Sequence, residues 1–305
     1  MKYDVIIYHN ADPDGIFSAA IALAANPNAE LVGYNYEPDF SHIDDKCINK
    51  NVVIVDISPN PWLYMHRLCG VAKNVLWIDH HTSAYKDCNE KGTEALFKNL
   101  KVVYDPEWGA CMSVWKHFFP ERRIPDWVIY IAGYDVWRDY GSPVWETRSM
   151  PFRLALQHLK CDPQGVCDLF QIASEKYEST SLCHGLLLKG QTIKEYVEAE
   201  NEFVVNNPSL VHEVQMVANE RLFKVLAINK SLHGDMFKGH DMSKFDFAVG
   251  YFHENNCWKI SLRGCGKGFD LGAIANKHGG GGHKDAAGFR VKTFQDIPII
   301  WERPQ

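Results

Sequence analysis

Four short stretches of this 305-residue chain carry side chains suited to holding hard divalent cations. The first is His9-Asn10-Ala11-Asp12-Pro13-Asp14-Gly15. The second is Asp56, which closes the apolar run Asn51–Asp56. The third is Asp79-His80-His81, at the end of Asn74–Asp79, and the fourth is Asp135 within Ile131–Trp137. Carboxylate oxygens suit Mn²⁺ or Mg²⁺, and imidazole tilts the preference toward Mn²⁺ or another transition metal. Two such ions held close together share a bridging carboxylate, activate water and neutralise a phosphoryl group during in-line attack. Each stretch taken singly has a plainer reading: an Asp at a strand end commonly caps the next helix, and adjacent histidines can be a hydrogen-bonded structural pair. Four of them at the ends of successive elements favour the metal reading, because without a cation so many carboxylates would repel one another.

A second kind of chemistry is written near the other end. Ile260-Ser261-Leu262-Arg263 is followed by Gly279-Gly280-Gly281-Gly282-His283 and by Ala286-Ala287-Gly288-Phe289. A glycine run allows close backbone approach and consecutive N–H groups that cradle phosphate oxygens; His283 adds a donor and Arg263 a planar fork. The plainer reading is a flexible loop between helix and strand. Residues 257–292 hold seven Lys or Arg against Asp270 and Asp285, which favours an anion. No Gly-Lys-Ser/Thr follows, so this is not a P-loop.

Positioning these groups requires a particular order of elements. Tyr3–Tyr8, Leu31–Tyr34, Asn51–Asp56, Asn74–Asp79 and Lys101–Tyr104 read as strands separated by helical segments such as Gly15–Ala25. That alternation predicts βαβ crossovers and a mostly parallel, doubly wound sheet, with reactive groups at the carboxyl ends of its strands. The pattern turns helical from about Trp127 to Ala173, and a long helix is expected over Ser181–Asn206. A strand-rich unit follows: Val211–Ala218, Leu222–Asn229, Phe245–His253, Trp258–Arg263, a helix Asp270–His278 and a last strand Ala287–Lys292. The expected division is 1–180, a helical linker 181–208, and 209–305, both domains being α/β.

Composition excludes several classes. A net charge of −6 argues against coating long duplex nucleic acid. No apolar run approaches the roughly 20 residues of a membrane span, and Met1-Lys2-Tyr3-Asp4 opens no signal-peptide pattern, so a cytoplasmic protein is expected. Nine cysteines without a Cys-x-x-Cys pair disfavour a structural zinc protein or a redox dithiol.

Together these residues resemble the DHH phosphoesterase family, in the branch with a carboxy-terminal DHHA1 domain. Asp79-His80-His81 matches the triplet that names the family. Ser261–Arg263 with Gly280–Phe289 matches the DHHA1 signature, and Tyr134–Trp137 is most similar to the nano-RNase members. The resemblance covers nearly the whole chain. It implies one metal on His9, Asp12 and Asp56, and a second on Asp14, Asp56, His80 and Asp135, with Asp56 as the bridge. It implies that Asp79 orients His80 from behind, that His81 faces the scissile phosphate as electrostatic helper or proton donor, and that Arg263, Gly281, Gly282 and His283 hold the far end of the substrate. The two residues between His9 and Asp12 depart from the pyrophosphatase branch, which has three; Asn10 is the alternative residue there, touching substrate. The ions implied are Mn²⁺ first, with Mg²⁺ or Co²⁺ able to substitute.

The expected activity is two-metal hydrolysis of short oligonucleotides or small phosphorylated nucleotides, with no membrane partner and with a homodimer compatible. Rival substrates are cyclic dinucleotides, 3′-phosphoadenosine 5′-phosphate and polyphosphate; a nucleotide enzyme needs an aromatic stacking platform and a polyphosphate enzyme does not. Trp137, Phe269 and Phe289 are the candidates, each with core packing as its alternative. A non-catalytic nucleotide-binding module is the reading from another class, and the complete ligand set argues against it.

Overall fold

A computed structural model describes residues 1–35, 40–157, 159, 162–174, 180–232, 236–237, 240–282 and 284–300. The chain divides into two compact units, Met1–Lys194 and Glu195–Gln305.

The first unit is built on five parallel strands: β1 Val5–His9, β2 Glu30–Tyr34, β3 Asn51–Val55, β4 Asn74–Asp79 and β5 Leu100–Tyr104, in spatial order β2-β1-β3-β4-β5. Residues of β1, β3 and β4 alternate between two separate cores. Ile6, Val53, Val55, Leu76 and Ile78 pack on one face, and Val5, Ile7, Val52, Ile54 and Trp77 on the other. Near-continuous apolar strands are what a parallel sheet covered on both faces demands. The helices are α1 Pro13–Ala25, α2 Ser41–Cys47, α3 Leu63–Val71, α4 Thr82–Glu90, α5 Thr93–Leu96, α6 Ala110–Phe118, α7 Asp126–Asp135, α8 Met150–Leu156 and α9 Pro163–Leu169. A π-helical turn, Trp145–Ser149, leads into α8.

From β1 the chain goes to β2 on one side, then returns to β3 on the other and builds outward. The order therefore reverses between β1 and β3, and the crevice beyond their carboxyl ends is where such sheets bind ligands. His9 and Asp56 stand at those two ends. The alanine-rich α1 lies against β1; Asp12 caps it, Pro13 pre-sets its first turn, and it ends at Asn26.

Helix α10, Thr180–Val205, runs through the point where the units divide. The second unit holds a seven-stranded mixed sheet: β6 Val211–Ala218, β7 Arg221–Ile228, β8 Phe247–Glu254, β9 Cys257–Gly264, β10 Gly281–Gly282, β11 Ala286–Val291 and β12 Ile299–Ile300, ordered β10-β11-β9-β8-β7-β6-β12. Only β7 and β8 pair in parallel among these. Helix α11, Leu271–Lys277, covers one face through Leu271 and Ile274, packed with Val225, Phe247, Val249, Ile260 and Leu262. The two-residue strands β10 and β12 were absent from the sequence expectation, since a pair of residues shows no periodicity.

No helix among the described residues is long and apolar enough to cross a membrane. The eight described cysteines are free thiols, six of them buried. Burial pushes Cys47 and Cys69 up to about 12, so these thiols stay protonated and unreactive.

Candidate metal centre

Asp12 serves both of its sequence readings at once. Its Oδ1 accepts the N–H of Gly15 at 3.0 Å as the cap of α1, and its Oδ2 lies 2.8 Å from Nδ1 of His9. The same ring nitrogen is 3.7 Å from Oδ2 of Asp56, and Nε2 of His9 is 3.2 Å from Oδ1 of Asn35. A ring held at one nitrogen by an amide presents the other in a fixed direction. The turn from β1 into α1 is tight: a Cβ on Gly15 would stand 2.1 Å from the carbonyl oxygen of His9, so only glycine lets the helix close on the strand end.

Asp14 points inward from the first turn of α1 and is fully buried. Its Oδ2 accepts the N–H of Ala110 and its Oδ1 that of Cys111 at 3.0 Å, the first amides of α6. A helix N-terminus favours an anion there, and each carboxylate oxygen keeps a lone pair for a cation. Gly109 makes the approach feasible, since a Cβ on it would sit 2.9 Å from Asp14 Oδ2. None of Asn35, Gly109, Ala110 or Cys111 was singled out from sequence; the one signal was a glycine just before an apolar helix.

Asp56 follows β3 with φ at +60°, a left-handed conformation that Asp and Asn tolerate better than most residues. The turn aims its buried carboxylate back over the strand ends, where Oδ1 lies 3.2 Å from Nε2 of His80. That nitrogen is also 3.1 Å from Oδ2 of Asp135, at the end of α7. Although close, Oδ1 of Asp56 and Nε2 of His80 are buried atoms without a hydrogen bond. Donor atoms that converge within reach yet are misaligned for bonding one another suit a common central cation.

Three overlapping ligand groups result among the described residues: His9, Asp12 and Asp56; Asp14, His80 and Asp135; and Asp56, Asp79, His80 and His81, with the atoms in each within 4.8 Å of one another. These groups are able to hold metal. The charges agree with that. Burial, then the carboxylates of Asp56 and Asp135, push Asp14 well above the usual carboxylate range, and burial with Asp56 raises Asp135 to about 6. Burial pulls the two imidazoles down, but the surrounding carboxylates outweigh it and hold His9 and His80 up at about 10. The pocket takes protons because it is short of positive charge, and divalent ions would supply that charge instead.

Asp79 reaches both histidines of the triplet, His80 through its backbone and His81 through backbone and ring. Its Oδ1 lies 2.6 Å from Nδ1 of His81 and accepts the N–H groups of His80 (2.7 Å) and His81 (3.2 Å); its ring partner is His81, not His80. At a strand end the side chain of the last residue is close to the backbone one and two positions on, so the i, i+2 ring is within reach. His81 keeps 38 % of its side chain exposed, and Asp79 holds its pKa up against the opposing pull of burial. Asp79→Asn removes that support. It should lower the pKa of His81 and move the alkaline limb of the kcat profile to lower pH; a limb that stays in place contradicts a proton-donor role for His81.

The remaining predicted residues lie in the second unit. Arg263 is half-buried on β9, where burial lowers its pKa and Nη1 is 3.3 Å from the carbonyl of Leu262. It pairs across the sheet with Ala248 and Ala286, on the face opposite Leu262. The glycine run is not one open cradle. Gly279, with φ at +74°, and Gly280 donate their N–H groups to Asn276 and Ala275, which closes α11, as glycine after a helix commonly does. Gly281 and Gly282 form β10 against Gly288 and Ala287. Gly280 and Gly282 are needed for packing, since their Cβ atoms would stand 2.1 and 2.5 Å from carbonyl oxygens of β11. His283 lies outside the described residues.

Residues 227–302 match the DHHA1 domain family. An uncharacterized protein of Acanthamoeba polyphaga mimivirus is 24 % identical over 305 residues, covering 94 % of this chain and 67 % of that protein. Among solved structures, the pGpG-specific phosphodiesterase PggH of Vibrio cholerae is similar with a TM-score of 0.49 and 12 % identity, over 97 % of this chain and 95 % of that one. RecJ of Thermus thermophilus, solved in complex with Mn²⁺, is similar with a TM-score of 0.47 and 14 % identity, over 96 % of this chain and 50 % of that one.

Proposed function

We propose that this chain is a DHH-type phosphoester hydrolase that uses two divalent ions, Mn²⁺ first, to cleave short oligonucleotides or small phosphorylated nucleotides. The observation that carries the proposal is Asp56: one buried carboxylate shared between the group of His9 and Asp12 and the group of Asp79, His80 and His81, with His80 also belonging to the group of Asp14 and Asp135. The match of residues 227–302 to the DHHA1 domain supports the same reading.

In this reading His9, Asp12 and Asp56 hold one ion and Asp14, Asp56, His80 and Asp135 the other. When bound, the pair lowers the pKa of water and neutralises charge on the phosphoryl group. The protein's own groups do the rest. Asn35 fixes the ring of His9, and the amides of Ala110 and Cys111 fix Asp14. Asp79 secures Nδ1 of His81, which leaves Nε2 to donate to the phosphate or to the departing oxygen. Arg263, Gly281, Gly282 and His283 are assigned to the far end of the substrate.

A specific feature favours a nucleotide over polyphosphate. Trp137, two residues after Asp135, is 53 % exposed, and Tyr140 beside it is 54 % exposed. Trp137 stacks at 5.7 Å on the buried Trp145, which in turn stacks at 4.9 Å on Tyr134. Its backbone is left-handed, φ +56°, a conformation that costs a bulky residue about 1–2 kcal/mol and clusters at functional positions. Phe289 is buried and Phe269 packs on Phe223, so neither offers a free ring face comparable to Trp137.

The test is a Mn²⁺ assay over short RNA and DNA oligomers, cyclic dinucleotides, 3′-phosphoadenosine 5′-phosphate and polyphosphate, for the native chain and for Trp137→Ala. Turnover should be greatest on the short oligomers. The variant should raise KM for them about tenfold or more, as loss of one stacked base does, with kcat little changed. Preferred hydrolysis of polyphosphate, or a variant with native KM, contradicts the nucleotide reading.

A further inference from the structure

Helix α10 is apolar on two sides. Leu186, Leu187, Val204 and Val205 are buried, as one face of a helix in a globular protein must be. The opposite side carries Gly185, Leu188, Thr192, Tyr196, Ala199 and Phe203, all exposed, with Leu188 at 58 %, Tyr196 at 68 % and Phe203 at 66 %. Their steps of three and four residues average the roughly 3.6 of a straight helix, so they form one stripe about 27 Å long. Single exposed apolar residues are ordinary, but three large ones on one line mark an interaction surface. The order of sizes says what covers it. Read from either end, each large residue of the stripe has a small one at the mirrored place. Laid antiparallel on a copy of itself, with the level of Lys194 as midpoint, Gly185 meets Phe203, Leu188 meets Ala199 and Thr192 meets Tyr196. Every layer then sets a small residue against a large one, as close packing demands. A parallel arrangement would set Phe203 on Phe203 and Glu200 on Glu200.

We propose that two copies of this chain pair through this face of α10, antiparallel about a two-fold axis at the level of Lys194. Such an interface presents the same patch from both sides, so each contact occurs twice. The flanking charges agree with that register, since Lys189 meets Glu200 of the partner subunit. Glu200 also holds Lys230 of its own chain at 2.9 Å, so the charge pair sets register more than strength. A groove of about 470 Å³ lies beside Ala199 and Phe203, and in this register it receives Leu188 of the partner subunit. One helix pair falls short of the roughly 800 Å² per partner of a standard interface, so the dimer is weak and concentration-dependent. None of this depends on the phosphoesterase reading.

Sedimentation equilibrium of the full chain, from about 5 to 500 μM, should show monomer passing to dimer with a Kd on the order of 10–100 μM. Leu188→Glu and Phe203→Glu, both at exposed positions, should each remain monomeric throughout and melt as the native protein does. Charge exchange tests the register. Lys189→Glu alone should weaken the dimer about tenfold, and adding Glu200→Lys should restore it. Glu195 lies one residue from the midpoint, where it meets its own copy, so Glu195→Gln should tighten association severalfold. The last two variants change only exposed side chains and keep the test open if an apolar-to-charged variant fails to fold. A monomer at every concentration, or a dimer indifferent to Leu188→Glu and Phe203→Glu, overturns the proposal. An exchange that restores nothing, or a Glu195→Gln dimer weaker than the native one, overturns the antiparallel register and the proposal with it.

Discussion

Asp56→Asn should lower kcat/KM on a phosphodiester substrate by at least about 10³-fold, roughly 4 kcal/mol of transition-state stabilisation, while leaving the fold intact. The size follows from position: this carboxylate faces both ligand groups, so its loss disturbs both ions rather than one. Asn is the right replacement because the residue sits at φ +60°, which Asn accepts. Ala at the same place adds about 1–2 kcal/mol of backbone strain and confuses stability with catalysis. In EDTA the Asn variant should melt within a few degrees of the native protein, and added Mn²⁺ should raise its midpoint less. Turnover within tenfold of native would remove the bridging role.

The second large effect is the response to metal and to pH. An ion that binds only the folded chain stabilises it by about 4 kcal/mol at a thousand times its Kd, and a domain of this size gains roughly 2–4 °C per kcal/mol. Two ions should therefore raise the melting midpoint by more than about 10 °C, and chelation should reverse it. The sign of the pH dependence comes from His9 and His80, both held up at about 10 against an ordinary 6.5. At pH 7 these rings carry protons in the metal-free protein, and coordination must displace them. Apparent Mn²⁺ affinity should rise between pH 6 and 8, and calorimetry in buffers of different ionisation enthalpy should count at least two protons released as both sites fill, those of His9 and His80 together with any held by the raised carboxyl of Asp14. The metal-free protein behaves oppositely. Imidazoles whose pKa is raised on folding add stability that is whole below about 6.5 and is lost as pH rises toward 10. An affinity independent of pH contradicts the assignment of these two histidines.

Much of the first unit was legible because its strands are buried on both faces and so read as unbroken apolar runs. Asn51–Val55 and Asn74–Asp79 announce themselves, and the acidic residues that end them stand at the carboxyl edge of the sheet. What the pattern could not carry was direction. Nothing in a strand ending on Asp56 tells that its backbone turns left-handed and aims the carboxylate between two groups. Nothing in Asp79-His80-His81 distinguishes which ring the aspartate meets; the structure chose His81. Backbone amides have no letter of their own, so the amides of Ala110 and Cys111 that hold Asp14 were invisible. The glycine run is a visible signal with two meanings. Its first half is the ordinary glycine stop of α11, which the charge around it disguised as part of an anion cradle.

Mn²⁺ itself reports on whether a pair of ions shares Asp56. The chain is titrated with Mn²⁺ and followed by electron paramagnetic resonance, with bound metal counted in parallel. Two ions per chain with the exchange-coupled signal of a bridged pair are predicted for the native protein, and loss of that coupling for Asp56→Asn. A single ion, or two with independent signals in the native chain, would contradict that sharing.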